Sequence, residues 1–273
     1  MAAALVALTI SASTAGAQEY RGFWVDTFNT ALNNHNDVRR VVDNAVASNA
    51  NALFVQVRRR GDAWYLNSLE PTPEGLSFAP GFDPLQDLIT TAHGSGLEVH
   101  AFVIVGAVWN RHPVILGPPS SPQHVFNRHG GFDPTTGRIV QGPDNWLTRT
   151  LIPDGTASIS FQGHRFGSDF WMDPGHPAAA EDVVKVLLHL ISHYDVDGIH
   201  LDRIRYPEIG IAGQTPSTGT SVGYNDTSIA RFQRHYGIPA DAGPPAQNDP
   251  RWSQWRRARS RTWCVGCTST RWL

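Results

Sequence analysis

Lysine is almost absent from this chain of 273 residues: Lys185 is the only one, and arginine supplies the rest of its 22 basic side chains. Against 24 acidic side chains the net charge is −2, which leaves no basic surplus to neutralise phosphates and argues against nucleic acid as a partner. Arginine in place of lysine reads as the codon bias of a G+C-rich genome. The apolar start, Met1 to Ala17, is too short and too rich in Ser and Thr to span a membrane. The residue directly after it is Gln18 and not cysteine, so a lipid anchor there is not expected. Twelve histidines are present, yet no H-x-H or H-E-x-x-H pair has metal-ligand spacing. Cysteine is confined to Cys264 and Cys267.

What remains is a globular composition, 41% hydrophobic and 17% charged, long enough for a sizeable core. Met1 to Ala17 runs from apolar to small residues and ends in Ala-Gly-Ala. That fits a signal peptide cleaved after Ala17, and hence a secreted or extracytoplasmic protein with no membrane contact after removal. Glu19 to Asp26 reads as a first strand. Asn36-Asp37 then caps a helix with Val38, Val41, Val42, Ala45 and Val46 on one face. Ala52 to Val57 is apolar on both sides except Gln56, the mark of a parallel strand covered on both faces. Asp83-Pro84 opens a helix with Leu85, Leu88, Ile89 and Ala92 inside, and Gly96 ends it. Leu97 to Val105 is a third strand. This alternation predicts an α/β fold with a parallel sheet.

A long segment from Gly106 to about Met172 breaks the rhythm; it is rich in Gly, Pro, His and Asn, and loops of that length are usually functional. Within it, Phe132 to Arg138 reads as a hairpin turn. His176-Pro177 opens a helix with Val183, Val184, Leu187, Leu188 and Ile191 on its face. Tyr194 to Pro207, YDVDGIHLDRIRYP, follows as a fourth strand, and Pro207 stops it. Asp202 falls at its carboxyl end, where α/β sheets and barrels keep their chemistry. Either it is catalytic, or it is a buried ion-pair partner of Arg203 or Arg205. Helices through Ile229, Phe232 and Tyr236, and from Asp249-Pro250 through Trp252 and Trp255, come next. Ala258 to Leu273 shows no helical or strand period. Its C-x-x-C is a redox pair or half a zinc site, or the tail is not native to this fold. A redox motif wants a strand before and a helix after, and zinc wants further ligands; neither is nearby. Only four strands are legible, whereas a closed (β/α) barrel takes eight.

Several segments together resemble the glycosyl-hydrolase-like family 10, also called the DUF187 group. They are Arg21-Gly22-Phe23-Trp24-Val25, Phe54-Val55-Gln56-Val57-Arg58 with Gly61-Asp62-Ala63-Trp64-Tyr65, Glu70-Pro71, and Phe82-Asp83-Pro84-Leu85. Further on come Ala92-His93 with Gly96 to Ala101, Trp171-Met172-Asp173-Pro174-Gly175, Tyr194 to Asp202 with Arg205-Tyr206-Pro207, and Asp249 to Trp252 with Trp255-Arg256-Arg257. The resemblance implies a TIM-like (β/α) barrel in residues 18–257, cut to about its first four β/α units, with 258–273 as a foreign tail. It also implies a bacterial, exported enzyme acting on a polysaccharide or oligosaccharide, with no cofactor and no metal.

Glycoside hydrolysis takes two carboxyl groups, a proton donor and a nucleophile or base. By the resemblance Asp202 is the catalytic nucleophile, kept ionised by Arg203 or Arg205. The acid is expected on a later strand. Candidate substrate-binding residues are Asp26, Arg58, Asp62, Trp64, His100, Trp109, Trp171, His200, Arg205 and Tyr206. Each has a plainer alternative: turns and ion pairs for the charged groups, core packing for the rings. Two other classes stay open: a metal-dependent hydrolase such as a glycan deacetylase using His100, His200 and Asp202, and a non-catalytic glycan-binding remnant. A half barrel with two open edges is expected to be weakly active or inactive and prone to aggregate.

Overall fold

The computed structural model describes residues 19–27, 29, 32–151, 163–207 and 221–268. Met1 to Ala17, the segment read as a signal peptide, lies outside them. Strand β1 (Gly22–Val25) leads to helix α1 (His35–Ala47), strand β2 (Ala52–Arg58), helix α2 (Pro84–Gly94) and strand β3 (Glu98–Ile104). Helix α1 begins ahead of the expected cap. Asn34 caps it by accepting the Asp37 N–H, and the Asp37 carboxylate accepts the Asn33 N–H in return at 3.1 Å, so orphan donors on both sides of the helix start are served. Val46, expected inside, falls off the buried stripe and is exposed. Helix α2 follows the sequence reading: Asp83 accepts the Leu85 and Gln86 N–H groups, and Pro84 takes the first turn, where its missing donor costs nothing.

The segment after β3 carries more structure than its composition suggests. It holds β4 (Ala107–Trp109), α3 (Val125–His129), a hairpin of β5 (Phe132–Asp133) and β6 (Arg138–Ile139), then β7 (Arg165–Phe166) and β8 (Asp169–Trp171). The hairpin turn is where Phe132 to Arg138 predicted it, with Asp133 accepting from the Thr135 N–H and the Thr136 hydroxyl. Strands β4, β8 and β7 form a small antiparallel sheet. The absence of periodicity has a physical reason: strands of two or three residues are too short to display one.

Helix α4 (Pro177–His193) then leads to β9 (Gly198–Asp202). Its buried stripe is Val183, Val186, Leu187 and Leu190, rotated from the expected one, and Leu188 is exposed. Helices α5 (Asp226–Tyr236) and α6 (Pro250–Thr268) follow. Asn225 caps α5, and Gly237 ends it in a left-handed conformation. Helix α6 runs straight through Ala258, where no period was legible, and Trp263 on it is buried in the main core. The side chains of Cys264 and Cys267 lie outside the described residues.

The main sheet has the order β1-β2-β3-β9, all parallel. Consecutive units side by side are the progression of a (β/α) barrel. The row Val25, Val55, Ala101 and Ile199 faces the core built with α1, α2 and α4. The opposite row is Trp24, Phe54, His100 and Gly198. Strand β2 is buried at six of its seven residues, as expected of a strand covered on both faces, and only Phe54 is half-buried. The rings of this row cover one another: Trp24, itself 55% exposed, stacks on Phe54 at 4.8 Å, and Phe54 stacks on His100 at 5.2 Å.

Candidate active site

The carboxyl ends of the four strands bring polar groups to one edge of the sheet. At β1, Asp26 is half-buried and its Oδ1 accepts the Asn29 N–H at 2.9 Å. At β2 the register shifts between Gln56 and Arg58, a bulge that re-aims the end of the strand. Gln56 turns to the β1 loop and accepts from Thr27 N–H and Oγ1 at 2.9 and 2.6 Å. Arg58 is 1% exposed and grips Glu70 through two parallel hydrogen bonds of 2.7 and 2.8 Å. Its remaining nitrogen donates to the Ile104 and Val105 carbonyls at 2.5 and 3.1 Å, so it ties β2 to the end of β3. Glu70, and neither Asp62 nor Asp26, is therefore its partner. Buried Asp62 is spent on the turn after β2, accepting the Arg59 and Arg60 N–H groups.

Asp202 ends β9 half-buried, and its Oδ1 accepts the Arg203 N–H at 2.7 Å. Its carbonyl accepts Val105 N–H at 2.9 Å, which extends the sheet ladder to the strand tips. The arginines do not bear on it as expected. Arg203 pairs with Asp169 at 2.9 Å, and Arg203 and Arg205 both lie over the Trp171 ring, at 5.6 and 5.8 Å. Asp169 also takes Arg60 at 2.7 Å. Sequence reading missed Asp169; its two-residue spacing from Trp171 in a short strand was the available signal. Gly106 makes the approach possible: a Cβ there would sit 2.7 Å from the Trp171 ring and 3.0 Å from the Arg203 carbonyl.

One turn further along, the Tyr206 hydroxyl donates to Asp173 Oδ1 at 3.3 Å. Asp173 is fully buried, and the same oxygen accepts from Gly175 N–H and Ser228 Oγ at 2.7 and 2.8 Å. Burial raises the Asp173 carboxyl above its ordinary range, against the pull of those hydrogen bonds. Burial and the neighbouring Asp173 charge together push the Tyr206 hydroxyl well up.

The two predicted histidines sit further back along the sheet than Asp202. His100 pairs with Gly198 at the start of β9, far from Asp202, and hydrogen-bonds Tyr20 and Glu98. Gly198 leaves room for it, since a Cβ there would lie 2.4 Å from His100 Nδ1. His200 sits mid-strand among Trp24, Phe54 and Phe102. Trp109 is buried beside His124 and Phe126, and Trp64 is half-buried under Arg59. Among the described residues no three His, Cys, Asp or Glu side chains gather as a metal site, and no helix is long and apolar enough to cross a membrane.

The sequence profile of the Glycosyl hydrolase-like 10 family matches residues 19–269. The chain belongs to this family. Glycosyl hydrolase YngK of Bacillus subtilis is 27% identical over 179 residues, which are 64% of this chain and 29% of that protein. Glycosyl hydrolase DigH of Escherichia coli K12 is 21% identical over 213 residues, 70% of this chain and 43% of its own length. The chain thus spans less than half of these relatives. Among solved structures, alpha-L-fucosidase isoenzyme 2 from Paenibacillus thiaminolyticus superposes with a TM-score of 0.50 at 16% identity, covering 92% of this chain and 30% of that enzyme. That likeness shows the fold, the α/β architecture of TIM-barrel glycosidases. In this Glycosyl hydrolase-like 10 member the described sheet has four strands and is open.

Proposed function

We propose that the site cleaves glycosidic bonds in a polysaccharide, with Asp202 as the nucleophile. The observation that carries this reading is the placement of a half-buried carboxylate at the tip of the fourth parallel strand, its Oδ1 oriented by the Arg203 N–H. The neighbouring carboxylates are committed elsewhere. Asp62, Glu70 and Asp169 each already accept two donors. Asp173 holds its proton more readily than an ordinary carboxyl, but full burial keeps it from a substrate. In this role Asp202 attacks the anomeric carbon while an acid protonates the leaving oxygen. Export through the Met1–Ala17 segment belongs to the same proposal and makes bacterial cell-wall glycan the first substrate to try.

The test is release of reducing ends from a panel of polysaccharides, cell-wall glycan included, by the purified protein and by Asp202→Asn. Weak release by the parent, in keeping with an open four-stranded sheet, and a loss of about a thousandfold in the variant, roughly 4 kcal/mol of transition-state stabilisation, is expected. Equal turnover by both contradicts the assignment. Binding without release by either points to a glycan-binding module.

A further inference from the structure

We propose that Asp169 is a positioning residue for Asp202 and acts through the backbone of Arg203, an inference that rests on the catalytic reading of Asp202. Arg203 has φ +52°, a left-handed conformation that side-chain-bearing residues seldom adopt. The peptide that joins it to Asp202 carries its N–H, which donates to Asp202 Oδ1 at 2.7 Å. The side chain is gripped at its far end. Asp169 Oδ2 accepts from the guanidinium at 2.9 Å, and the same group lies over Trp171. Asp169 and Trp171 are two residues apart on β8, hence on one face. Asp169 is in turn fixed by Arg60 from the loop after β2, at 2.7 Å, and is 4% exposed. The Arg203 carbonyl is wedged against Gly106, the position where a side chain would collide with it.

The strained residue is therefore held from both sides, and the product of that hold is one hydrogen bond to the carboxylate. Without the Asp169 grip the Arg203 Cα is no longer fixed, and the Asp202–Arg203 peptide is free to turn and carry its N–H away from Oδ1. Asp202 then samples orientations unsuited to in-line attack, and misplacement on that scale costs up to about a hundredfold in rate. Asp169 itself touches neither substrate nor the reacting atoms.

The test compares the parent with Asp169→Asn, Arg203→Gly and the double variant, with Asp202→Asn as the reference for hydrolysis itself. Glycine keeps the N–H, tolerates positive φ and removes only the grip, so it reports even where the buried substitution fails to fold. Each single variant is expected to lower kcat about ten- to a hundredfold with KM nearly unchanged, and the double variant to lose no more than either. The residue-203 amide is expected to exchange with solvent about tenfold faster in Asp169→Asn, with α1 amides unchanged. Parent-like kcat in both single variants, additive losses in the double variant, or an unchanged residue-203 exchange rate overturns the proposal. If Asp202→Asn turns over like the parent, or the parent shows no turnover, the hydrolytic reading is what fails or falls silent. The amide exchange then decides the positioning inference alone.

Discussion

The two ends of the parallel sheet carry the same kinds of groups in opposite settings. At the amino end, Tyr20 donates to Glu98 at 2.6 Å and Glu98 meets His100 at 2.9 Å, with Tyr20 and Glu98 open to water. At the carboxyl end, Arg58 and Glu70 show side-chain exposures of 1% and 4%, and Asp169 shows 6%. An exposed pair gains little, because water and salt screen it and both partners are well solvated when apart. A buried pair is different. Removing one partner strands an uncompensated charge, at a cost of about 3–5 kcal/mol. The carboxyl end is therefore a rigid frame that fails when one member is lost, the kind of support a catalytic group needs, whereas the amino end tolerates change.

Substitutions at the two ends sharpen that contrast. The largest effect is expected at Asp202→Asn, about a thousandfold or more in turnover with little change in thermal midpoint. Glu70→Ala comes next, leaving Arg58 buried without its carboxylate. A loss of about 3–5 kcal/mol, a midpoint lower by roughly 10 °C, is expected in calorimetry. A shift within 2 °C of the parent, about the noise of such a comparison, breaks the claim that this pair is a structural strut.

Asp173 gives a pH-dependent effect. Burial raises its folded-state pKa, so the folded protein binds this proton more tightly than the unfolded chain does. Its contribution is fully present below the ordinary value of 3.8 and is lost as pH rises through the raised folded value. The stability of the parent minus that of Asp173→Asn, from denaturant midpoints, should therefore fall with rising pH across that window and be flat on either side. A difference that grows with pH means that the hydrogen bonds from Ser228 and Gly175 outweigh desolvation. The smallest effect belongs to the amino end. Glu98→Gln should cost no more than about 1 kcal/mol and leave turnover unchanged.

The contrast also separates what was legible in the sequence from what was not. Elements with a full period were readable: α1, α2 and the four strands of the main sheet follow from spacing, α2 also from its cap, and Asp202 was located from Pro207 closing its strand. Val46 and Leu188 were misplaced because apolar residues also occur on helix flanks, where one exposed side chain costs little. Ion-pair choice was not readable. Arg58 chose Glu70 and Arg203 chose Asp169 across 12 and 34 residues, distances that only the tertiary fold closes. Trp109 and Trp171 lie in strands too short to show alternation, so their burial was invisible, and His100 is placed by a neighbour's glycine instead of by its own strand.

The most direct test of this account pairs the two ends in one assay: reducing-end release from the preferred polysaccharide by Asp202→Asn and by His100→Ala, measured beside the parent. Loss of release in the first with near-parent rates in the second is the predicted result. Near-parent rates for Asp202→Asn with loss in His100→Ala would place the chemistry at the opposite end of the sheet and contradict the account.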